Sequence, residues 1–378
     1  MSIKRFHNSI GNNKIDFDTS VTWGENLVGA YQDLPNLASS RQINYGTVLG
    51  VDTYQHVPFI KRIDTDLVIT WQEGLQDEDT AGQSIKMKYI NSLNVISSKF
   101  TIFEALSNSG STDEIIVVNS EILEYDGAFY YICSVYNTNG IPDPKSWTAL
   151  GVLASERLTA TTNGTPFWVY TADGNAITPQ SGFTAYSFNE PLSTNIANEI
   201  RSDRYQILTY LDNNVSLFDG ELTDSTDVFT EISATKVRNQ FIRLSRNFNF
   251  ASPPQRQYFD FGDGIPIISE IPSSDARSSL ITLNNNKVGL CGGTGDPLTE
   301  RLELFFAFAD LNTLNFQQSN IYRVVSGSAT GQVFAGAFKN GLWSYPNMIH
   351  DIDNKIKIVC SKYKEGIFLF EFNYSDID

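Results

Sequence analysis

An all-β chain arranged as blades around an axis is the expected architecture, and three observations lead to it. Roughly twenty short apolar, strand-like segments follow one another, with turn signals about every 8 to 12 residues. One pattern returns: an apolar strand, a tight Asp, Asn or Gly turn, and a second apolar strand. The composition suits pleated, half-buried surfaces, with 12% aromatic residues including 25 Phe and 17 Tyr.

The elements follow in order. The first 45 residues are rich in Asn, Asp and Ser and poor in strand signals, so they are expected to lie at the rim, to supply a closing strand, or to anchor the chain to a neighbour. Copies of the strand pair then appear as "VPFIKRIDTDLVITWQ" from Val57 and "VVNSEILEYDGAFYYICSVY" from Val117. They return as "SLITLNNNKVGLCGG" from Ser279 and "PNMIHDIDNKIKIVCSKY" from Pro346. Further strands follow three of these copies: "QSIKMKYINS", "RLELFFAFAD" and "GIFLFEF". Antiparallel meanders of about 50 residues each fit the blades of a propeller better than one sandwich. Six blades are expected within a single domain spanning residues 46–378, with five or seven left open because the repeat blurs between Gln180 and Asp263.

Charge and cysteine content narrow the function classes. A chain of 378 residues that is 41% hydrophobic can bury a sizeable core. Its formal net charge of −16 opposes any general attraction to nucleic acid or to an anionic membrane. Neutral glycans or another protein are the easier partners. A strongly anionic polysaccharide would need a local basic pocket. Cys133, Cys291 and Cys360 sit in or beside apolar runs without the paired spacing of a metal site or disulfide framework, so buried thiols are expected. The start carries no apolar stretch of signal-peptide length and no later run reaches the ~18 residues of a membrane span. The expectation is a chain with no membrane insertion, carried on a virion surface or extracellular assembly, with the cytoplasm as the alternative.

From His56 to Ser92 the sequence resembles the first full blade of the sialidase-like family of BNR-repeat proteins. The residues carrying the likeness are His56, Trp71, the acidic run Asp77, Glu78 and Asp79, and the pair Gly82 and Gln83. It resumes at "ALGVLASERL" around Leu153 and from Glu270 to Phe316, which is similar to the family's penultimate blade. The final blade of the family is matched by Tyr345, Pro346, Ser361, Lys364, Glu365 and Ile367, with Cys360 where tyrosine is usual. The resemblance implies a sialidase-like β-propeller. Function is a separate matter, because such propellers host hydrolases, lyases and pure binders.

Residues at strand starts and in the loops on one face of a propeller converge on its central depression. By that geometry His56, Arg277, Arg301, Tyr345, His350, Lys364 and Glu365 are candidates. As an enzyme the chain would use His56, Tyr345, Arg277 and Arg301; likeness to uronate lyases with propeller folds implies histidine or tyrosine as base, tyrosine as acid and a basic residue, Arg277 or Lys364, neutralising a carboxylate. The family's sialidase markers are missing: there is no Phe-Arg-Ile-Pro motif and no Ser-x-Asp-x-Gly-x-Thr-Trp box. Recognition of a glycan or a surface receptor, or of neighbouring virion subunits, is therefore the leading expectation.

For ligand contact, the rings of Trp147, Trp168 and Trp343 could stack on sugars, against the alternative that they pack the core. Lys364 and Glu365 are expected as an exposed turn pair contributing ~0 to 1 kcal/mol. Glu73, Asp77, Glu78 and Asp79 could hold calcium but lack the alternating spacing of a dedicated loop, so no metal or cofactor is expected.

Overall fold

The structure, a computed structural model, describes residues 32–33, 39–75, 77, 82–103, 115–125, 128–137, 148–154, 162–170, 206–211, 214–219, 229–237, 240–247, 256–260, 267–272, 276–283, 287–294, 301–310, 316–327, 331–334 and 341–377. Two N-terminal strands, β1 (Gln32–Asp33) and β2 (Ser39–Tyr45), precede the repeating sheets. The first sheet runs β3 (Tyr54–Ile63), β4 (Asp66–Gly74), β5 (Ser84–Ile90) and β6 (Phe100–Phe103). The second runs β7 (Ile115–Tyr125), β8 (Ala128–Asn137), β9 (Thr148–Ala154) and β10 (Thr162–Tyr170). A two-stranded sheet, β11 (Gln206–Leu211) with β12 (Asn214–Asp219), falls in the stretch where the repeat blurs.

Three further meanders complete the set. They are β13 (Phe229–Val237), β14 (Gln240–Asn247), β15 (Arg256–Asp260) and β16 (Ile267–Pro272), then β17 (Ser279–Leu283), β18 (Lys287–Thr294), β19 (Glu303–Asp310) and β20 (Ile321–Ser326). The last is β21 (Trp343–His350), β22 (Lys355–Lys362) and β23 (Gly366–Asn373). Of the three roles open to the first 45 residues, Ser39–Tyr45 takes that of a closing strand: β2 pairs antiparallel with β23, and β1 adds a parallel edge to β20. Among the described residues no helix is long and apolar enough to cross a membrane.

In β3, β4, β18, β21 and β22 the apolar runs are near-continuous because both faces of the strand are buried. In β4, Leu67, Ile69 and Trp71 enter a core shared with the last sheet, whereas Val68 enters a core shared with the second. In β22, Val359 joins the first-sheet core, while Ile356, Ile358 and Cys360 pack towards β17–β20. The period of two thus sorts side chains between two inter-sheet cores rather than between core and water. Cys291 and Cys360 are buried thiols, and burial pushes both up from their ordinary ionisation range.

The first strands of neighbouring sheets also contact one another: β13 with β17, β17 with β21, β21 with β3, and β3 with β7. A repeated hydrogen bond clasps three of these pairs. Ser233 Oγ accepts from the Leu280 N–H at 2.8 Å, Ser279 Oγ from Met348 N–H at 3.1 Å, and Asn347 Oδ1 from Ile60 N–H at 3.0 Å. One polar side chain per inner strand thereby satisfies a backbone donor that the strand ladder leaves over. The strand starts are held in fixed relation around the axis.

Candidate functional site at the strand entrances

The site grows from two matching irregularities. The β3–β4 register breaks between His56 and Phe59, and the β21–β22 register breaks between Ser344 and Asn347. Each break holds an X-Pro pair, Val57-Pro58 and Tyr345-Pro346, and proline, lacking an N–H, is tolerated in a ladder at such bulges. Val57 and Tyr345 adopt φ values of 47° and 55°, and Arg301 one of 39°. For non-glycine residues this region costs about 1–3 kcal/mol each, and strain of this kind clusters at functional sites.

The bulges re-aim the side chains towards one another. The Tyr345 ring meets the His56 ring edge to face, centroids 4.2 Å apart at 67°. Val57, Ala276 and Tyr345 form a small buried apolar cluster, which puts Arg277, the next residue, at the same strand entrance. The Arg301 guanidinium carbon lies 5.9 Å from the Tyr345 ring centroid, a cation–π distance. His56, Tyr345, Arg277 and Arg301 therefore gather on one end of the axis, all buried.

Hydrogen bonding fixes how His56 is held. Its Nδ1 is 2.7 Å from Ser361 Oγ, which lies 2.9 Å from Ser344 Oγ and 3.1 Å from the Ser344 carbonyl. A hydroxyl has one proton; with Ser361 donating to that carbonyl, it accepts from His56 Nδ1–H and from the Ser344 hydroxyl. In that arrangement a neutral ring carries its lone pair on Nε2, the tautomer a general base requires; with Ser361 donating to Nδ1 instead, the ring proton sits on Nε2.

Several expectations are corrected. Lys364 and Glu365 are not an exposed pair: they are 4% and 0% exposed. The Glu365 carboxylate accepts from Tyr45 Oη at 2.8 Å, Val333 N–H at 3.0 Å and Phe334 N–H at 2.6 Å. Its backbone carbonyl takes Gly46 N–H and that of Lys364 takes Gln55 N–H, so this turn fastens the closing strand and the entry to β3. Burial first, and then the Glu365 hydrogen bond and charge, push the Tyr45 phenol upwards. Trp343 is no stacking platform either, being 5% exposed with its ring edge-on to Phe368 and Phe370. Trp147 and the side chain of Trp168 lie outside the described residues.

His350 stands at the far end of β21 from Tyr345, against Tyr374, with Nε2 3.0 Å from Asn354 Oδ1. It belongs to the opposite face. Both Glu73 carboxylate oxygens are engaged by Lys99 Nζ at 2.9 Å, which leaves this residue poorly placed to ligate calcium; Glu78 and Asp79 lie outside the described residues. The bulges and the Ser344–Ser361–His56 chain went unread in the sequence, although the X-Pro pairs at two matching strand starts are the signal that marks them.

No protein-family model and no curated relative matches this chain. Solved structures do. A sialidase superposes with a TM-score of 0.56 at 10% identity, covering 95% of this chain and 35% of that one. Trypanosoma rangeli sialidase gives 0.55 at 14% identity over 89% of this chain and 59% of its own. The same enzyme in complex with sialic acid gives 0.51 at 12% identity over 92% and 60%. This chain thus spans between about a third and three fifths of the length of these structures. Its fold is that of a sialidase-like β-propeller.

Proposed function

We propose that this chain recognises a glycan at the strand-entrance end of the propeller axis, over His56, Tyr345, Arg277 and Arg301. The observation that carries this reading is the convergence of three sheets' strand starts there, with left-handed backbone at Val57, Arg301 and Tyr345. Strain retained at three neighbouring positions is compensated elsewhere in a fold, and holding these polar and aromatic side chains in one fixed arrangement gives it a use. Tyrosine and arginine in a ring-and-guanidinium pair present both an apolar face and donors, which suits sugar hydroxyls and ring C–H faces. The structural likeness to a sialidase solved with sialic acid supports a sugar as the ligand class. A role as a receptor-binding component of a virus particle is part of the same reading, tested by looking for the chain on purified particles.

A second reading, cleavage of the bound glycan, is favoured by one observation. His56 holds its Nδ1 on Ser361 with its ring edge to face on that of Tyr345, which brings a candidate base and a candidate acid together. A glycan-array screen of the purified chain, run beside turnover assays on each sugar that scores, separates the two. Binding without new reducing ends or unsaturated products is the expected result. Turnover abolished by Tyr345→Phe and His56→Ala would make it an enzyme, and the absence of any glycan binding would overturn both readings.

A further inference from the structure

At the opposite end of the same strands lies a pocket of about 210 Å³ between the first and last sheets. Its lining is polar: Arg62, Lys355 and Lys357 stand against the carboxylates of Asp353 and Glu371, with Asp351 buried behind them. Two of the cations are committed. Arg62 donates to both oxygens of Asp351 and to the Thr65 carbonyl, and Lys357 is shared among Asp351, Asp353 at 3.0 Å and Glu371 at 3.5 Å. The ammonium of Lys355 has no such partner among the described residues.

The neutral lining leans the same way. Asn91 uses its side-chain oxygen to accept from the Leu93 and Val95 N–H groups at 3.0 and 2.9 Å, and Asn94 uses its oxygen for Arg41 at 2.6 Å. Both amides thereby spend their acceptor within the fold, which leaves each –NH2 as a donor. Lys355, Asn91 and Asn94 thus line a space too small for a drug-sized ligand, for which about 300 Å³ or more is usual.

We infer that this pocket binds one small hydroxylated carboxylate, of the size of a single sugar acid, with its carboxylate on Lys355 and its ring oxygens on Asn91 and Asn94. Asp353 and Glu371 then accept from the hydroxyls, which a bare anion lacks. Lys355 supplies a charge-assisted contact rather than a bidentate clamp, so affinity is modest and selectivity resides in the pairing of charge and hydroxyls. This site is distinct from the strand-entrance end. His56 and Arg62 are six positions apart on β3, about 20 Å at the rise of a strand.

The test is titration of the full chain with glucuronate, glucose and inorganic sulfate, followed by calorimetry or NMR shifts. Glucuronate should saturate, glucose should bind at least ~10-fold more weakly, and Lys355→Met should weaken glucuronate by ~10-fold without lowering Tm, since one charged contact is about one decade of affinity. His56→Ala should leave this binding unchanged, so loss of the strand-entrance glycan site and loss of this one are separately visible. Glucuronate that fails to saturate, glucose or sulfate that binds as well, indifference to Lys355→Met, or sensitivity to His56→Ala would each overturn the assignment.

Discussion

The two ends of β3, β21 and β22 are built from the same strands and use opposite physics. At the strand entrances, rings and hydroxyls meet on strained backbone: His56 on Tyr345 and Ser361, with Val57 and Tyr345 in left-handed conformation. At the other end the left-handed positions are turn residues of the types that tolerate them, Asp64, Asn94 and Asn354, and charge takes over. Arg62 of the first sheet and Lys357 of the last both donate to Asp351, whose side chain is fully buried. These two sheets are where the ring of blades closes, because β2 completes the last sheet immediately before β3 opens the first. The Asp351 network fastens one end of the closing seam, and the Lys364–Glu365 turn fastens the other, beside the His56–Tyr345 cluster.

Breaking the ionic end should have the largest effect. Asp351→Ala removes the acceptor shared by half-buried Arg62 and buried Lys357; loss of one partner from a buried pair costs about 3–5 kcal/mol, and since Lys357 keeps Asp353 and Glu371 a loss near the lower figure, with a clear drop in Tm, is expected. Thermal melts check it, and a variant within 1 °C of the parent would show that the seam does not depend on this network. Next comes the turn that ties the closing strand down. Glu365→Gln keeps the shape but removes the charge accepting from Tyr45, Val333 and Phe334, and about 2 kcal/mol should be lost in urea unfolding.

Acid sharpens the comparison. Burial alone would raise the Asp351 carboxyl; the Arg62 and Lys357 hydrogen bonds and the Lys357 charge outweigh it and hold it at about 2, below an ordinary 3.8. The folded state therefore binds this proton less readily than the unfolded chain. The contribution is full above about pH 4 and is lost as pH falls towards 2, a change of the order of 2 kcal/mol. Stability measured across that window should fall less steeply in Asp351→Ala than in the parent. Smallest is the entrance end: Ser361→Ala frees His56 Nδ1 at a cost of about 1 kcal/mol, yet it should weaken glycan binding more than either substitution above.

The strands themselves were legible because a near-continuous apolar run between turn residues has few other readings. Ser344 to Phe372 reads as three strands and folds as β21, β22 and β23. Which neighbour each face packs on was not legible, since Val359 and Ile358 look alike in sequence and enter different cores. The gathering of His56, Tyr345 and Arg301 followed from strand starts sharing one face. The fate of Glu365 did not, because its partner Tyr45 lies 320 positions away and the turn reads as a solvated one until β2 is laid beside β23. Arg62 and Asp351, 289 positions apart, were invisible for the same reason. Trp343 shows the limit of composition: a ring beside a Gly turn can stack on sugar or on phenylalanine, and only the position of Phe368 and Phe370 decides.

The most direct test is to take a glycan that scores on the array and measure its affinity for the parent chain, His56→Ala and Lys355→Met side by side, with melts to confirm folding. Loss of binding in the folded His56→Ala variant, with Lys355→Met unchanged, is the expected result and places recognition at the strand entrances. Unchanged affinity in His56→Ala would contradict it, and the strained cluster would then be a structural feature of the axis alone.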